Sequence, residues 1–464
     1  MRKKILVVVH RFPPRHQAGA ELYSLRLAKE LSKKHEVVVM STDDNLSSRN
    51  YTRNSYEYEG LRVVEFTNHR RYREFEESYA DPHMEQHFAS VLRAVQPDIV
   101  HYQHLLHHSV NYPAIAREYG CAGVATIHEY WLLCGRNGQM LQADGTRCLA
   151  PGLSKCAPCM ANFMWGRRGL DLWMLRGLAG VKKVMGVDFK ATARKFRLKG
   201  YSRSSEEIPP EVIEEMERQL LLREARIRDC FDTIDCFVAP SMFLRDRFVE
   251  YGLDEQRIIH NRLGVMTEHY RRRVRVHREG RPLRIGFLGS VQEIKGLHIL
   301  LEALTQLEPD SFDLRVYGDL NSKPEYVNSL FNKLGSSMQL MGRAAQNEIP
   351  AILGTFDLLA VPSIWWENSP LVILEAFATG LPVIVSDIGG MAELVQNEVD
   401  GLHFEAGNSQ DLAAKLRRVQ HEAGFLEKLS ERTQNPRSIE DDARFHDLLF
   451  DAVLSQTPEE MEES

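Results

Sequence analysis

No stretch of the 464 residues approaches the ~18 to 20 consecutive apolar positions that a membrane-spanning helix needs, so no span is expected. The opening Met1-Arg2-Lys3-Lys4 runs into Ile5 to Val9, an apolar run too short for the core of a secretory leader. Excess positive charge is missing too. A formal net charge of −6 argues against nucleic acid as a partner. There is no GxGxxG, which removes the dinucleotide fingerprint, and no glycine-rich loop has the order and spacing of a Walker A motif. These absences place the expected location in the cytoplasm, where seven cysteines read as thiols or metal ligands rather than disulfides.

What is present is a soluble, globular composition, 43% hydrophobic and 26% charged, on a chain too long for one core and suited to two domains. In the first half, Ile5 to Val9, an apolar-periodic helix from Ala20 to Leu31 and Val37 to Val39 make a β-α-β unit with a parallel sheet. Further strands are expected at Leu61 to Phe66, Ile99 to Tyr102, Gly123 to Ile127 and Cys230 to Ala239. Ligands of open α/β sheets collect beyond the carboxyl ends of strands, which draws attention to His101, His104, His128 and Glu129, while the loop after the first strand carries His10, Arg15, Gly19, Ala20 and Glu21. Gly19 sits in the first strand-to-helix loop, where a turn glycine is the plain alternative to a ligand contact.

Cys134, Cys148, Cys156 and Cys159 fall within 26 residues of glycine-rich chain, the last two as Cys-Ala-Pro-Cys. Four such cysteines suit a structural tetrahedral zinc site, with plain thiols and redox chemistry as alternatives. Phe163 to Arg203 then mixes aromatic, methionine and basic residues, a composition that lies on an anionic membrane surface or packs as helices with solvated basic faces. An arginine-rich stretch at 271–282 reads as a linker between a domain at 1–270 and another at 283–440, with 441–464 a closing helix and a disordered acidic tail.

From Leu283 strands and helices alternate: strands at 283–288, 313–317, 338–341, 357–361 and 382–386, and helices at 297–307, 347–353, 370–379 and 391–396. That pattern predicts a doubly wound parallel sheet. Within it Trp365-Trp366-Glu367-Asn368-Ser369-Pro370-Leu371-Val372-Ile373-Leu374-Glu375 sets one carboxylate before a helix and another inside it. Ser369 suits the N-cap and Pro370 the first helical position. The amides of Leu371 and Val372 then face outward at the positive end of the helix, a natural site for a phosphate. Carboxylates repel phosphate, so Glu367 and Glu375 suit flanking hydroxyls, and the whole describes a nucleotide sugar.

Glu367 and Glu375, with seven residues between them, resemble the paired-glutamate motif of the retaining family 4 glycosyltransferases. Gly289-Ser290-Val291-Gln292-Glu293-Ile294-Lys295-Gly296, Met341-Gly342-Arg343 and Asp387-Ile388-Gly389-Gly390 are similar, in order, to that family's donor loop, base-holding segment and diphosphate loop. Ser290 replaces a common arginine, which leaves more of the diphosphate charge to Lys295. Thr126 to Trp131 looks like the segment whose histidine, here His128, lies against the donor sugar.

The resemblance implies the GT-B fold, an α/β architecture of two Rossmann-like doubly wound domains facing a central cleft. It implies a retaining hexosyltransferase that needs no metal for catalysis. Glu367, Lys295 and His128 would act on the sugar and diphosphate, and Gly19, Gly289, Ser290, Gly342, Arg343, Asn368, Ser369, Leu371, Val372 and Glu375 would bind substrate. The donor would be a nucleoside diphosphate sugar and the acceptor a saccharide, lipid-linked, met at the cytoplasmic face of the membrane. An epimerase or phosphorylase on the same fold, or a non-catalytic nucleotide-sugar-binding partner, are the competing readings.

Overall fold

The computed structural model describes residues 2–142, 144–166, 208–277, 280–308, 310–321, 323–331 and 337–455. The chain divides into two units. Unit 1 comprises Met1–Ala239, Arg245–His260 and Ala443–Ser464, and unit 2 comprises Pro240–Leu244 and Asn261–Asp442. The basic, aromatic segment falls largely, and the acidic tail wholly, outside the described residues. Among the described residues no helix is long and apolar enough to cross a membrane.

Unit 1 is built on β1 (Lys4–Val8), β2 (Glu36–Asp43), β3 (Arg53–Tyr58), β4 (Leu61–Thr67), β5 (Ile99–Tyr102), β6 (Ala122–Thr126), β7 (Cys236–Ala239) and β8 (Ile258–His260). Their order in the sheet is β3-β4-β2-β1-β5-β6-β7-β8. All neighbours run parallel except β3, which pairs antiparallel with β4. Central strands are unbroken apolar runs because both faces are covered. Edge strand β3 reads Arg-Asn-Ser-Tyr-Glu-Tyr and is largely exposed, which is why apolar periodicity does not find it.

The last helix, Ile439–Ser455, is tied into unit 1 by charge. Asp447 accepts from Lys3 Nζ at 2.6 Å and meets His35 Nε2 at 2.9 Å, and Lys34 also reaches it. Burial pushes the Asp447 carboxyl up, but the hydrogen bonds and charges of these partners outweigh it and hold the group well below its ordinary range. His101, singled out as a strand-end candidate, is instead a core residue. It has no exposed surface, and its ring bonds Thr126 Oγ1 at 2.8 Å and packs on His446 and Phe450.

Unit 2 carries β9 (Leu283–Leu288), β10 (Phe312–Tyr317), β11 (Met338–Gly342), β12 (Leu358–Val361), β13 (Val383–Ser386) and β14 (Gly401–Phe404), all parallel, in the order β11-β10-β9-β12-β13-β14. This is the doubly wound order 3-2-1-4-5-6, whose reversal falls between β9 and β12. Leu283, Ile285, Leu300, Leu304, Leu314, Ile384 and Leu412 lie in one fully buried core.

The expected linker belongs to unit 2. Arg275 is 2% exposed, its Nε donating to Phe356 O at 2.9 Å and its Nη2 to Thr379 Oγ1 at 3.2 Å. Arg281 and Arg284 both pair with buried Asp357, at 3.0 and 2.7 Å. Positive charge there satisfies carbonyls and a carboxylate of the fold, which composition alone reads as a solvated connector. The unit boundary accordingly falls at residue 261 rather than 270.

Candidate active site

At the reversal point of unit 2, two loops leave adjacent strands side by side. The loop after β9 passes through a 3-10 turn, Glu293–Lys295, into the helix Leu297–Leu304, and the loop after β12 leads to the helix Leu371–Ala378. Ile364 N donates to Ile294 O at 2.9 Å and fastens one loop to the other. Gly296 has φ +68°, and a Cβ there would stand 1.8 Å from Pro362 O, so only glycine allows this approach.

The result is a contact between Lys295 Nζ and Glu367 Oε1, with Ser363 Oγ donating to the same oxygen at 2.8 Å. The Lys295 ammonium also lies 5.2 Å from the Trp365 ring centroid. Glu367 is 8% exposed. Burial alone raises its carboxyl, but the charge and hydrogen bond of Lys295 and the Ser363 bond prevail and keep it below the ordinary carboxylate range. The site thus presents an ionised acceptor beside a cation with two further N–H donors to offer.

Behind this pair, the Gly390 amide donates to Glu367 O at 2.8 Å, and a Cβ at Gly390 would stand 1.6 Å from Asn368 O. Asn368, 6% exposed, accepts from Ser241 Oγ at 2.6 Å, and Trp366 stacks on Phe243 with centroids 5.1 Å apart. Glu393 accepts from the amides of Met242 and Phe243 at 2.9 and 3.0 Å. The segment Pro240–Leu244 therefore braces the Glu367 loop within unit 2. Glu393 and the bracing role of Ser241 were missed by sequence reasoning because their partners are distant in the chain, and Ser363, four residues before Glu367, because a lone serine in a loop carries no motif.

The helix after the loop starts one residue later than expected. Pro370, with ψ 113°, occupies the cap position and Leu371 is the first helical residue. Ser369 is therefore not the N-cap, and its buried Oγ has no hydrogen-bond partner among the described residues. A proline ring fixes φ but leaves ψ free to turn extended, so the helix nucleates after it. The amides of Leu371 and Val372 still lie at the open helix end, ahead of the Ile373 N–H bond to Pro370 O at 3.0 Å. Glu375, 7% exposed, follows one turn later. Gly289 and Ser290 follow β9 directly. Gly342 ends β11 with φ +79°, its carbonyl accepting from Gly318 N at 2.8 Å, and exposed Arg343 pairs with Asp319 at 2.6 Å.

Unit 1 repeats the topology and reverses between β1 and β5, where the side chains are histidines. His10 meets Glu21 at 3.3 Å, its ring 4.2 Å from that of His104, and His104 meets Glu129 at 3.2 Å. His128 Nε2 lies 2.6 Å from Gln103 Oε1, a residue that the sequence does not flag, and its ring is edge-on to Tyr23. Burial holds His104 well below the ordinary histidine range and pushes Glu129 up to about 8. Gly19 opens the exposed start of the helix Gly19–Ser32, with open space where a Cβ would be.

The four clustered cysteines line one cavity of unit 1, about 260 Å³. Burial raises the thiols of Cys134, to about 11, and of Cys148 and Cys156. Burial around these three disfavours the thiolate. No three of these sulfurs lie within 4.8 Å of one another; among the described residues that criterion is met by His16, Asp43 and Asp44, where Asp43 already pairs with Arg15.

Two Rossmann-like units, one with a lysine–glutamate pair at its reversal point and one with a histidine cluster, constitute the GT-B architecture. Residues 282–422 match the family model described as glycosyl transferases group 1, and residues 18–157 match that of glycosyltransferase family 4. The chain belongs to the family 4 glycosyltransferases.

The chain is 30% identical over 190 residues to the amylovoran biosynthesis glycosyltransferase AmsK of Erwinia amylovora, covering 39% of this chain and 46% of that one. It is 40% identical over 114 residues to an Escherichia coli UDP-Gal:alpha-D-GlcNAc-diphosphoundecaprenol alpha-1,3-galactosyltransferase, covering 24% and 29%. It spans about half or less of the length of the curated relatives it matches. Among solved structures, Anabaena Alr3699/HepE in complex with UDP-glucose superposes with a TM-score of 0.62 at 16% identity, over 97% of this chain and 100% of that one. Sucrose-phosphate synthase from Thermosynechococcus elongatus gives 0.65 at 15%, over 98% and 100%.

Proposed function

We propose that this chain transfers a hexose from a nucleoside diphosphate sugar to a saccharide carried on a lipid, with retention of configuration, at the cytoplasmic face of a membrane. The observation that carries the reading is the Lys295–Glu367 pair beside the open end of the helix Leu371–Ala378. A diphosphate laid on the Leu371 and Val372 amides meets positive partial charge from the helix, and Lys295 adds a full charge as the glycosidic bond breaks and the diphosphate gains electrons. Glu367, kept ionised, accepts hydrogen bonds from sugar hydroxyls, and Glu375 accepts from the ribose. Backbone at Gly289, Ser290 and Gly342 leaves room for the base and phosphates. The step assigns no role to a metal. Relatives whose names specify amylovoran biosynthesis and a GlcNAc-diphosphoundecaprenol substrate support the lipid-linked class.

The test is to incubate the chain with UDP-, GDP- and ADP-hexoses and a lipid-linked saccharide and follow nucleotide release, with the product anomer assigned by NMR. One donor class should be consumed, and its anomeric configuration should reappear in the product. Consumption of no donor, or an inverted product, would sink the corresponding part of the reading.

A further inference from the structure

Between β6 and the helix Pro210–Thr233 the chain makes an excursion that holds four of its seven cysteines. Cys121, Cys230 and Cys236 are buried elsewhere in unit 1. The other four share the walls of the 260 Å³ cavity with Arg136, Lys155 and Arg223.

Two local structures bring them there. The Gly138 amide turns back to Cys134 O at 3.0 Å, and the Cys148 amide donates to Met140 O at 2.8 Å beside the bridge between Leu141 and Arg147, so a short hairpin carries Cys134 and Cys148 to one end. Cys156 and Cys159 lie three apart on the helix Leu153–Ala161, hence on one face of it.

The cavity's two carboxylates, Glu224 and Glu250, are already paired with Arg228 and Arg247, which leaves Arg136, Lys155 and Arg223 in excess. Arg223, 3% exposed, donates to Leu132 O at 3.4 Å and to Trp131 O, and lies over the rings of Tyr79 and Trp131. Among the described residues it has no ion pair with a carboxylate. Arg136 Nη1 donates to Cys159 Sγ at 3.6 Å. A buried guanidinium without a counter-charge is costly, and neutral thiols do not supply one. Four thiolates around a divalent ion do: the set carries a net charge of about −2, which two guanidiniums offset.

We propose that Cys134, Cys148, Cys156 and Cys159 bind one zinc ion and close this excursion on itself. On binding, the four thiol protons leave to solvent and four zinc–sulfur bonds form, with no change of oxidation state. Zinc–sulfur bonds of about 2.3 Å need sulfurs about 3.8 Å apart. No three of the sulfurs stand that close to one another, Cys148 Sγ donating to Ala150 O at 3.2 Å and Cys156 Sγ accepting from the Gly152 amide at 3.4 Å. Gathering them takes rotation about χ1 between staggered wells and the loss of these two local bonds.

The experiment uses the full chain, expressed with zinc and purified without chelator. Elemental analysis should find about one zinc per chain, released in step with four thiols as a mercurial reagent is added. Cys156→Ser with Cys159→Ser should lose the zinc, while Cys230→Ser keeps it. Should the double variant fail to fold, wild type grown with cobalt supplies a second readout, an intense sulfur-to-cobalt charge-transfer band with tetrahedral visible bands. Metal well below one per chain, cobalt bound without that band, or a Cys156–Cys159 disulfide found by mass after alkylation would each overturn the proposal.

Discussion

The two units share a strand order and differ in what they place at its reversal. Unit 2 sets a full positive and a full negative charge in contact, on loops fastened by a backbone hydrogen bond and a glycine that nothing else can replace. Unit 1 sets the His104 imidazole, which burial holds well below the ordinary histidine range, beside a carboxyl whose protonation is favoured by burial. On the proposed reading, the first receives a charge that grows during reaction. The other is a hydrogen-bonding wall suited to hydroxyl groups. The same topology thus serves two chemistries, and the loops decide which.

The sharpest way to break that comparison is to remove the charge from unit 2. Lys295→Ala should lower turnover by roughly 10²- to 10³-fold, the scale for losing one preorganised donor to a developing anion. Arg343→Ala removes an exposed charge already paired with Asp319 and should cost less than about threefold, within the range of a surface ion pair. Comparable small losses in steady-state kinetics would reduce Lys295 to an ordinary surface cation.

Next in size is a change that leaves both reversal points alone. Asp447→Asn strips the counter-charge from Lys3, whose side chain is 4% exposed, and should destabilise unit 1 by about 3 kcal/mol, the low end for breaking a buried pair because Asp451 remains at 2.8 Å. Urea unfolding measures it. A shift under about 1 kcal/mol would show that the last helix is held by its apolar face instead.

The two loops at the reversal point of unit 2 were legible in the sequence because their parts are local. Gly289 to Gly296 and Glu367 to Glu375 each lie on one strand–loop–helix passage, so spacing along the chain is spacing in space. Unit 1 was legible only in outline. Gln103 matters through His128, 25 residues on, and Ser241 through Asn368, 127 residues on, and no pattern within a window reports such pairings. The arginines of 271–282 misled for a related reason: composition shows their charge but not the carbonyls and the Asp357 carboxylate waiting for them. Polar edge strand β3 carried no periodicity to find.

Glu375→Ala sharpens the comparison from the binding side. It removes an acceptor from the ribose hydroxyls assigned to it and should weaken donor binding by about 2 kcal/mol, with turnover at saturation less affected than in Lys295→Ala. Calorimetry with the intact donor decides it, and unchanged affinity would return Glu375 to a structural role in the helix Leu371–Ala378.

The smallest expected effect probes unit 1 through pH. The Glu129 carboxyl titrates near 8 in the folded chain against an ordinary value of 4.5, so the folded state favours its protonated form. Its contribution to stability is therefore complete below about pH 4.5, and it declines as pH rises towards 8, where the folded chain must pay to ionise it. A whole proton would give a slope of about 1.4 kcal/mol per pH unit. Because the side chain is 23% exposed, water solvates part of the charge and a slope of a few tenths of a kcal/mol per pH unit is expected. Glu129→Gln keeps a donor toward His104 and cannot ionise, so its unfolding midpoint should vary less than that of the unaltered chain between pH 5 and pH 8. Parallel pH profiles for the two would mean that Glu129 titrates like a surface carboxylate, and the contrast between a charged reversal point and a neutral one would fall with it.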